Sequence, residues 1–272
     1  MKHIHVQGTA IPALGFGTLY LDEKTALRMV GAAIAEGYRH IDTAQIYLNE
    51  SPVGSAIKAS GVPRDNIFLT TKVWFDKLTK KDFLPSVEES LRKLKTDYVD
   101  LLLIHWPNPE IPLEESVEQL QLARDKGYTK HIGVSNFPVK LVEQTLALGA
   151  DIITNQVEYH PLIDQTKLHS YLREKNVTLT AYSPIAQGEI IGNQQLKEIG
   201  EKYGKNEIQV ALRWMMQQPD VLALPRTSNE ANLKSNFQIF DFELTTDDMA
   251  QVDKLKEQNR RVVTPDFAPE WD

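Results

Sequence analysis

The chain contains no cysteine, which excludes disulfides, thiolate catalysis and cysteine-ligated metal and leaves its chemistry to oxygen and nitrogen groups. No stretch approaches the roughly eighteen uninterrupted apolar residues of a membrane span, so no membrane partner is expected. Positive charge is scarce: 30 Lys and Arg face 37 Asp and Glu, a formal charge of −7, and the clustered basic face of a nucleic-acid binder is not expected. The longest basic stretch, Lys77 to Lys81, is broken by Leu78 and Thr79 and reads as a solvated loop. His3 and His5 form an H-x-H pair, but on a hairpin strand they read as surface positions, and no metal site is expected. The opening Met1 to Val6 alternates instead of running from a basic into an apolar region, so no secretory leader is expected and cytoplasm is the simplest location. Neither a low-complexity linker nor a short repeat divides the 272 residues, and a single domain over 1–272 follows.

What is present is alternation on a larger scale. Eight short apolar runs read as strands: Ala13 to Thr18, Tyr38 to Asp42, Ile67 to Lys72, Tyr98 to His105, Thr129 to Ser135, Ile152 to Gln156, Thr178 to Tyr182 and Val221 to Pro225. Amphipathic segments lie between them, for example Lys24 to Glu36, Ser51 to Ser60, Leu84 to Leu94, Leu113 to Asp125 and Glu207 to Met216, several ending at glycine. Each parallel strand pair needs a right-handed crossover, and eight such units close most naturally into a (β/α)8 TIM barrel; an open doubly wound sheet is the alternative. Ile4 to Val6 and Ile11 to Leu14 flank Gln7-Gly8-Thr9 and predict a hairpin plugging the barrel bottom. Thr246 to Gln258 predicts an extra helix. The stretch after Arg260, with Pro265, Phe267, Pro269 and Trp271, favours neither helix nor strand; it either folds over the barrel mouth or frays.

Barrel enzymes place their chemistry where the strands end. Asp42, Lys72 and His105 close the second, third and fourth strands, and Tyr47 follows in the second loop. Reduction of a carbonyl needs a hydride at carbon and a proton at oxygen. Tyrosine, with a pKa of about 10, is a reluctant acid, and the Lys72 ammonium is expected to bring it toward the working range. Asp42 would hold Lys72, and His105 would orient or polarise the carbonyl. Singly, each is an ordinary packing or ion-pair residue; together they are a proton-donating set.

Residues Gly15 to Thr18, Gly37 to Ala44 with Tyr47, Asn49 and Glu50, Thr71 to Trp74, Asp97 to Asp100, His105 to Pro107, Gly133 to Phe137 and Asn155 to Pro161 resemble the aldo-keto reductase superfamily, in order and over nearly the whole chain. The resemblance implies a (β/α)8 fold, NAD(P)H dependence and catalytic roles for Asp42, Tyr47, Lys72 and His105. The ending Ala268 to Asp272, with Ala44 to Tyr47, resembles that superfamily's bacterial 2,5-diketo-D-gluconate reductase B group, which implies reduction of diketogluconate or of small aldehydes such as methylglyoxal.

A Rossmann site is not expected, because Gly15-Phe16-Gly17 meets Tyr20 where the third glycine belongs. Ser135, Asn136 and Gln156 offer donors and acceptors for a carboxamide and Tyr182 a ring for stacking, and the resemblance implies that they hold the nicotinamide. Gly17, Thr18 and Ser183 join them as cofactor-binding positions. Arg226, Thr227, Ser228 and Asn229 precede a predicted helix that continues through Asn232 to Asn236, and by resemblance they grip the 2′-phosphate of NADPH. Asn232 stands where the family often has a second arginine, so NADH is expected as a second cofactor. Tyr20, Trp74 and Trp106 are the expected walls around a small carbonyl compound, handled by a monomer. A non-catalytic regulatory barrel and a barrel hydrolase or isomerase remain as alternatives.

Overall fold

The computed structural model describes residues 2–272. A hairpin, β1 (His3–Val6) and β2 (Thr9–Pro12), comes first. It is joined by the two-residue turn Gln7-Gly8, both at positive φ, the geometry that matches strand twist in a tight hairpin. The hairpin lies against the amino ends of the barrel strands: Thr9 Oγ1 meets His131 Nε2 at 3.1 Å, His40 Nδ1 lies 3.2 Å from the Pro12 carbonyl, and Gln7 Nε2 donates to the Ile152 carbonyl at 3.0 Å. It caps the barrel bottom as predicted, with the first strand starting one residue earlier and the second lying two residues earlier than expected. His3 and His5 are exposed on it.

Strand and helix then alternate: β3 (Phe16–Gly17), α1 (Glu23–Glu36), β4 (His40–Asp42), α2 (Glu50–Ala59), β5 (Phe68–Val73), α3 (Phe83–Leu94), β6 (Val99–Ile104), α4 (Leu113–Asp125), β7 (Thr129–Ser135), α5 (Val139–Ala147), β8 (Ile152–Glu158), α6 (Thr166–Glu174), β9 (Thr178–Tyr182), α7 (Gln194–Glu201), α8 (Glu207–Gln217), β10 (Val221–Ala223), α9 (Glu230–Phe237) and α10 (Thr246–Lys254). β3 to β10 form one parallel sheet in sequence order. β5, β6 and β8 are buried throughout their length, as expected of strands covered on both faces. The helices are stopped and started by local chemistry. α1, for instance, begins where Asp22 Oδ1 accepts from the Thr25 amide at 2.8 Å and ends at Gly37 with φ 112°.

Closure depends on the first strand. Leu14 bridges to Ala223 in parallel, Gly15 N donates to the Ala223 carbonyl at 2.9 Å, and Gly17 N donates to the Pro225 carbonyl at 3.1 Å. A Cβ on Gly15 would fall 2.5 Å from Leu224 and 2.9 Å from the His40 ring, so only glycine lets the first and eighth barrel strands approach here. The predicted strand Ala13 to Thr18 is therefore shorter in fact, with β3 covering two residues, while the helix α7 was not signalled by the sequence reading at all. Among the described residues no helix is long and apolar enough to cross a membrane.

Candidate active site

Asp42, Lys72 and His105 stand at the carboxyl ends of β4, β5 and β6, and Tyr47 lies on a single 3-10 turn, Gln45–Tyr47, just past β4. The structure brings these four together. Lys72 is fully buried, and an ammonium has three protons and no acceptor. Lys72 Nζ donates to Asp42 Oδ1 at 2.5 Å, to the Thr43 carbonyl at 2.9 Å and to the Tyr47 hydroxyl at 3.3 Å. Because Lys72 donates to it, the Tyr47 oxygen acts as acceptor on that side and its own proton is free to point elsewhere.

The loop carrying Tyr47 is tightly held. Gln45 Nε2 donates to the Ser86 and Ser90 hydroxyls, each at 3.1 Å, and its Oε1 accepts from the Trp74 amide at 2.9 Å. Asn49 donates to the carbonyls of Thr18 and Leu21 at 2.8 and 3.0 Å and accepts from Thr43 Oγ1 at 2.9 Å. Gln45 and Asn49 are positioning residues that the sequence carried only inside a motif; strand-end reasoning has no means of finding a loop side chain whose partners come from other elements.

Charge and burial decide the ionisation. Burial, reinforced by the Asp42 carboxylate, holds the Tyr47 phenol well above its ordinary value. This overturns the expectation that Lys72 brings it down: the ammonium is already paired with Asp42, so it offers no net lowering in the resting site. Burial also pulls Lys72 below its usual range against the opposing pull of Asp42. His105 is driven well below 6.5 by burial and then by Lys72, and is a neutral imidazole at neutral pH. Its ring packs edge-on to Tyr47, with centroids 5.5 Å apart, and to Trp74 at 5.1 Å. Its Nδ1 is buried without a partner among the described residues.

The expected nicotinamide holders also converge on this end. Gln156 Nε2 donates to Asp42 Oδ2 at 2.8 Å, so one of its two N–H groups is taken by the tetrad, and the second N–H and the amide oxygen remain for a ligand. Ser135 Oγ donates to the Gln156 carbonyl at 2.7 Å, Asn136 Nδ2 to the His105 carbonyl at 2.9 Å, and the Tyr182 hydroxyl to Asn136 Oδ1 at 2.8 Å. Asn136 and Ser183 both take positive φ. Gly17 and Thr18 sit beside the eighth barrel strand and β4, with Thr18 Oγ1 donating to the Asp42 carbonyl at 3.0 Å. Past β10, Thr227 Oγ1 accepts from the Asn229 amide at 3.1 Å, and Asn229 caps α9 by accepting from the amides of Ala231 and Asn232. Asn236 is buried in α9, while Arg226, Ser228 and Asn232 are exposed. Arg226 has no carboxylate within 4 Å among the described residues; its guanidinium lies 5.9 Å from the Tyr20 ring. Tyr20 is 74% exposed at the rim, outside the aromatic cluster that lines the mouth.

That cluster comes partly from the tail. Phe267 stacks on Phe75 at 4.7 Å and meets Trp74 and Trp106 edge-on at 5.9 and 5.5 Å; Trp271 reaches Trp106 at 6.1 Å. The tail is tied down. The fully buried Glu158, at the end of β8, accepts from the Val262 amide at 2.6 Å, the Val263 amide at 2.8 Å and His160 Nε2 at 2.8 Å, and Asp272 accepts from the Val139 amide at 2.8 Å. The fraying alternative is thereby excluded, and Glu158 is a latch that the sequence reading missed.

The aldo/keto reductase family profile matches residues 13–257. Methylglyoxal reductase DkgB of Yersinia pestis is 42% identical over 268 residues, covering 97% of this chain and all of that protein. Glyoxal reductase of Bacillus subtilis is 40% identical over 262 residues, covering 95% of this chain and 94% of its own. A solved structure with the provisional description 2,5-diketo-D-gluconic acid reductase B superposes with a TM-score of 0.98 at 49% identity, over 100% of this chain and 98% of that one. The chain belongs to the aldo/keto reductase family and is an NAD(P)H-dependent oxidoreductase.

Proposed function

We propose that the chain reduces aldehydes and ketones, either small aldehydes such as methylglyoxal or keto-sugar acids such as 2,5-diketo-D-gluconate, with NADPH as hydride source and Tyr47 as proton donor. The observation that carries this reading is the Tyr47 hydroxyl held 3.3 Å from the buried Lys72 amine, with its ring packed edge-on against His105. A proton donor must hold its proton at rest, and the raised Tyr47 does so. When Tyr47 gives it up, the charge left on its oxygen is met by Lys72, whose orientation Asp42 and the Thr43 carbonyl fix; such stabilisation exists only as charge develops, which is where it accelerates the step. His105, neutral, offers an N–H to the substrate's carbonyl oxygen without competing for the proton.

The residues present fit a dinucleotide. Arg226 is an exposed fork beside the start of α9, unpaired among the described residues, and the neighbouring Glu230 is paired with Arg28 at 2.6 Å, which lowers repulsion against a phosphate. The Tyr182 ring and the Gln156 oxygen suit the nicotinamide and its carboxamide. When bound, the reduced nicotinamide supplies the hydride. With Asn232 uncharged, Arg226 alone discriminates for the 2′-phosphate, which supports NADPH as preferred and NADH as a second cofactor. The names of the related methylglyoxal, glyoxal and diketogluconate reductases support the substrate range.

The test follows absorbance of each reduced cofactor over a panel of aldehydes, ketones and keto-sugars, for wild type and Tyr47→Phe. We expect substrate-dependent NADPH oxidation that falls by about 10²- to 10⁴-fold in the variant. Unchanged turnover would remove Tyr47 as the acid.

A further inference from the structure

We propose that Arg261 and Trp271 form a carboxylate-binding subsite in the tail wall of the mouth, so that the substrates fitting this chain best are carbonyl compounds that also carry an acid group. The inference rests on the carbonyl-reductase reading above and specifies its substrate class.

Four buried side-chain nitrogens lack a hydrogen-bond partner among the described residues: His105 Nδ1, Gln119 Nε2, Arg261 Nη1 and Trp271 Nε1. Two of them belong to a single stack, with the Arg261 guanidinium 3.8 Å from the centre of the Trp271 ring. Trp271 in turn packs on Trp106, the residue next to His105, so the stack adjoins the reacting end of the barrel. Arg261 makes no side-chain hydrogen bond and has no carboxylate within 4 Å among the described residues. Its charged neighbour is Glu158, with Tyr182 beside it. Glu158 accepts from the Val262 and Val263 amides and from His160, and Arg261 makes no hydrogen bond to it, so Glu158 lends Arg261 a favourable field only. The adjacent Arg260, by contrast, is satisfied by Glu189, with Nη2 donating at 2.8 Å. A half-buried guanidinium whose Nη1 is shielded from water without a partner is completed by an anion, and a planar fork beside an indole N–H matches the two oxygens of a carboxylate. The cofactor's phosphate is the other anion available, but the exposed Arg226 at the start of α9 suits it, whereas Arg261 rises from the tail beside the aromatic substrate wall.

Matched substrates separate the alternatives. Succinic semialdehyde is compared with butanal, and 4-carboxybenzaldehyde with benzaldehyde, using wild type, Arg261→Gln, Arg261→Lys and Trp271→Phe. Wild type is expected to favour the acid in at least one pair, chiefly through KM. Arg261→Gln should lose about 10- to 100-fold in kcat/KM on that acid and little on its neutral partner, Arg261→Lys should lose less, and Trp271→Phe a few-fold. The neutral aldehydes report the reductase itself, so their turnover distinguishes failure of this proposal from failure of the broader reading. No preference for the acid in wild type, or equal losses on acid and neutral substrates, overturns it. A 10-fold weaker NADPH affinity in Arg261→Gln by fluorescence titration would assign the guanidinium to the cofactor's phosphate instead and likewise overturn it.

Discussion

Lys72 Nζ lies 2.5 Å from Asp42 Oδ1 with both side chains shut away from water. Removing one member leaves the other charged and desolvated, at a cost of roughly 3–5 kcal/mol. Asp42→Asn should therefore lose turnover and melt well below wild type. Adding Lys72→Met should restore part of the melting temperature while leaving the enzyme inactive. Paired thermal melts and turnover assays check this, and an unchanged melt in Asp42→Asn would contradict it.

Burial lowers the pKa of both His40 and His105 below 6.5. Below pH 6.5 the unfolded chain takes up these two protons and the folded chain does not. The unfolded state then binds more protons, so stability rises with pH in this window and is lost as pH falls from 6.5 toward the folded-state values. The slope is at most about 1.4 kcal/mol per pH unit for each histidine. Urea titrations between neutral and mildly acidic pH should show His105→Gln with a shallower pH dependence than wild type; equal slopes would contradict the assignment.

Arg226→Gln should weaken NADPH binding about 10- to 100-fold, the range for hydrogen bonds to charged groups, and leave NADH nearly unchanged. Fluorescence titration with each cofactor measures the ratio directly. Equal losses would place Arg226 away from the 2′-phosphate.

Glu158→Gln keeps the size of the latch but removes its charge and one of its acceptor sites. Amide hydrogen exchange at Val262 and Val263 should accelerate by about 10- to 100-fold, reflecting the loss of a charged hydrogen bond. KM should rise more than kcat falls, because the tail forms the substrate wall and not the tetrad. Exchange at wild-type rates would show that the tail is held by its aromatic contacts alone.

The alternation of short apolar runs with amphipathic segments made the barrel legible, and polar residues closing β4, β5 and β6 made Asp42, Lys72 and His105 legible with it. Register and burial were not. The first strand looked six residues long because Ala13 to Thr18 is small and apolar, yet its pairing rests on a glycine whose necessity is set by Leu224 and His40, far away in sequence. The segment Gln194–Glu201 follows Gly188 and Gly192 and was hidden by that loop signal. The direction of the Tyr47 shift was misread because pairing of Lys72 with Asp42, and the exclusion of water, are properties of the assembled site. Arg261 and Trp271 are ten residues apart in a stretch without periodicity, and only the folded tail stacks them.

The hydrogen bond from Gln156 to Asp42 joins residues 114 positions apart, on the sixth and second strands of an eight-strand ring. It is a strut across the full diameter of the cylinder, so the carboxylate that aims the lysine is itself aimed by the opposite wall. Neither half of the sheet alone can mature the catalytic centre. In refolding, regained turnover will lag the return of helical signal, because enzymatic competence waits for the last staves to join the first.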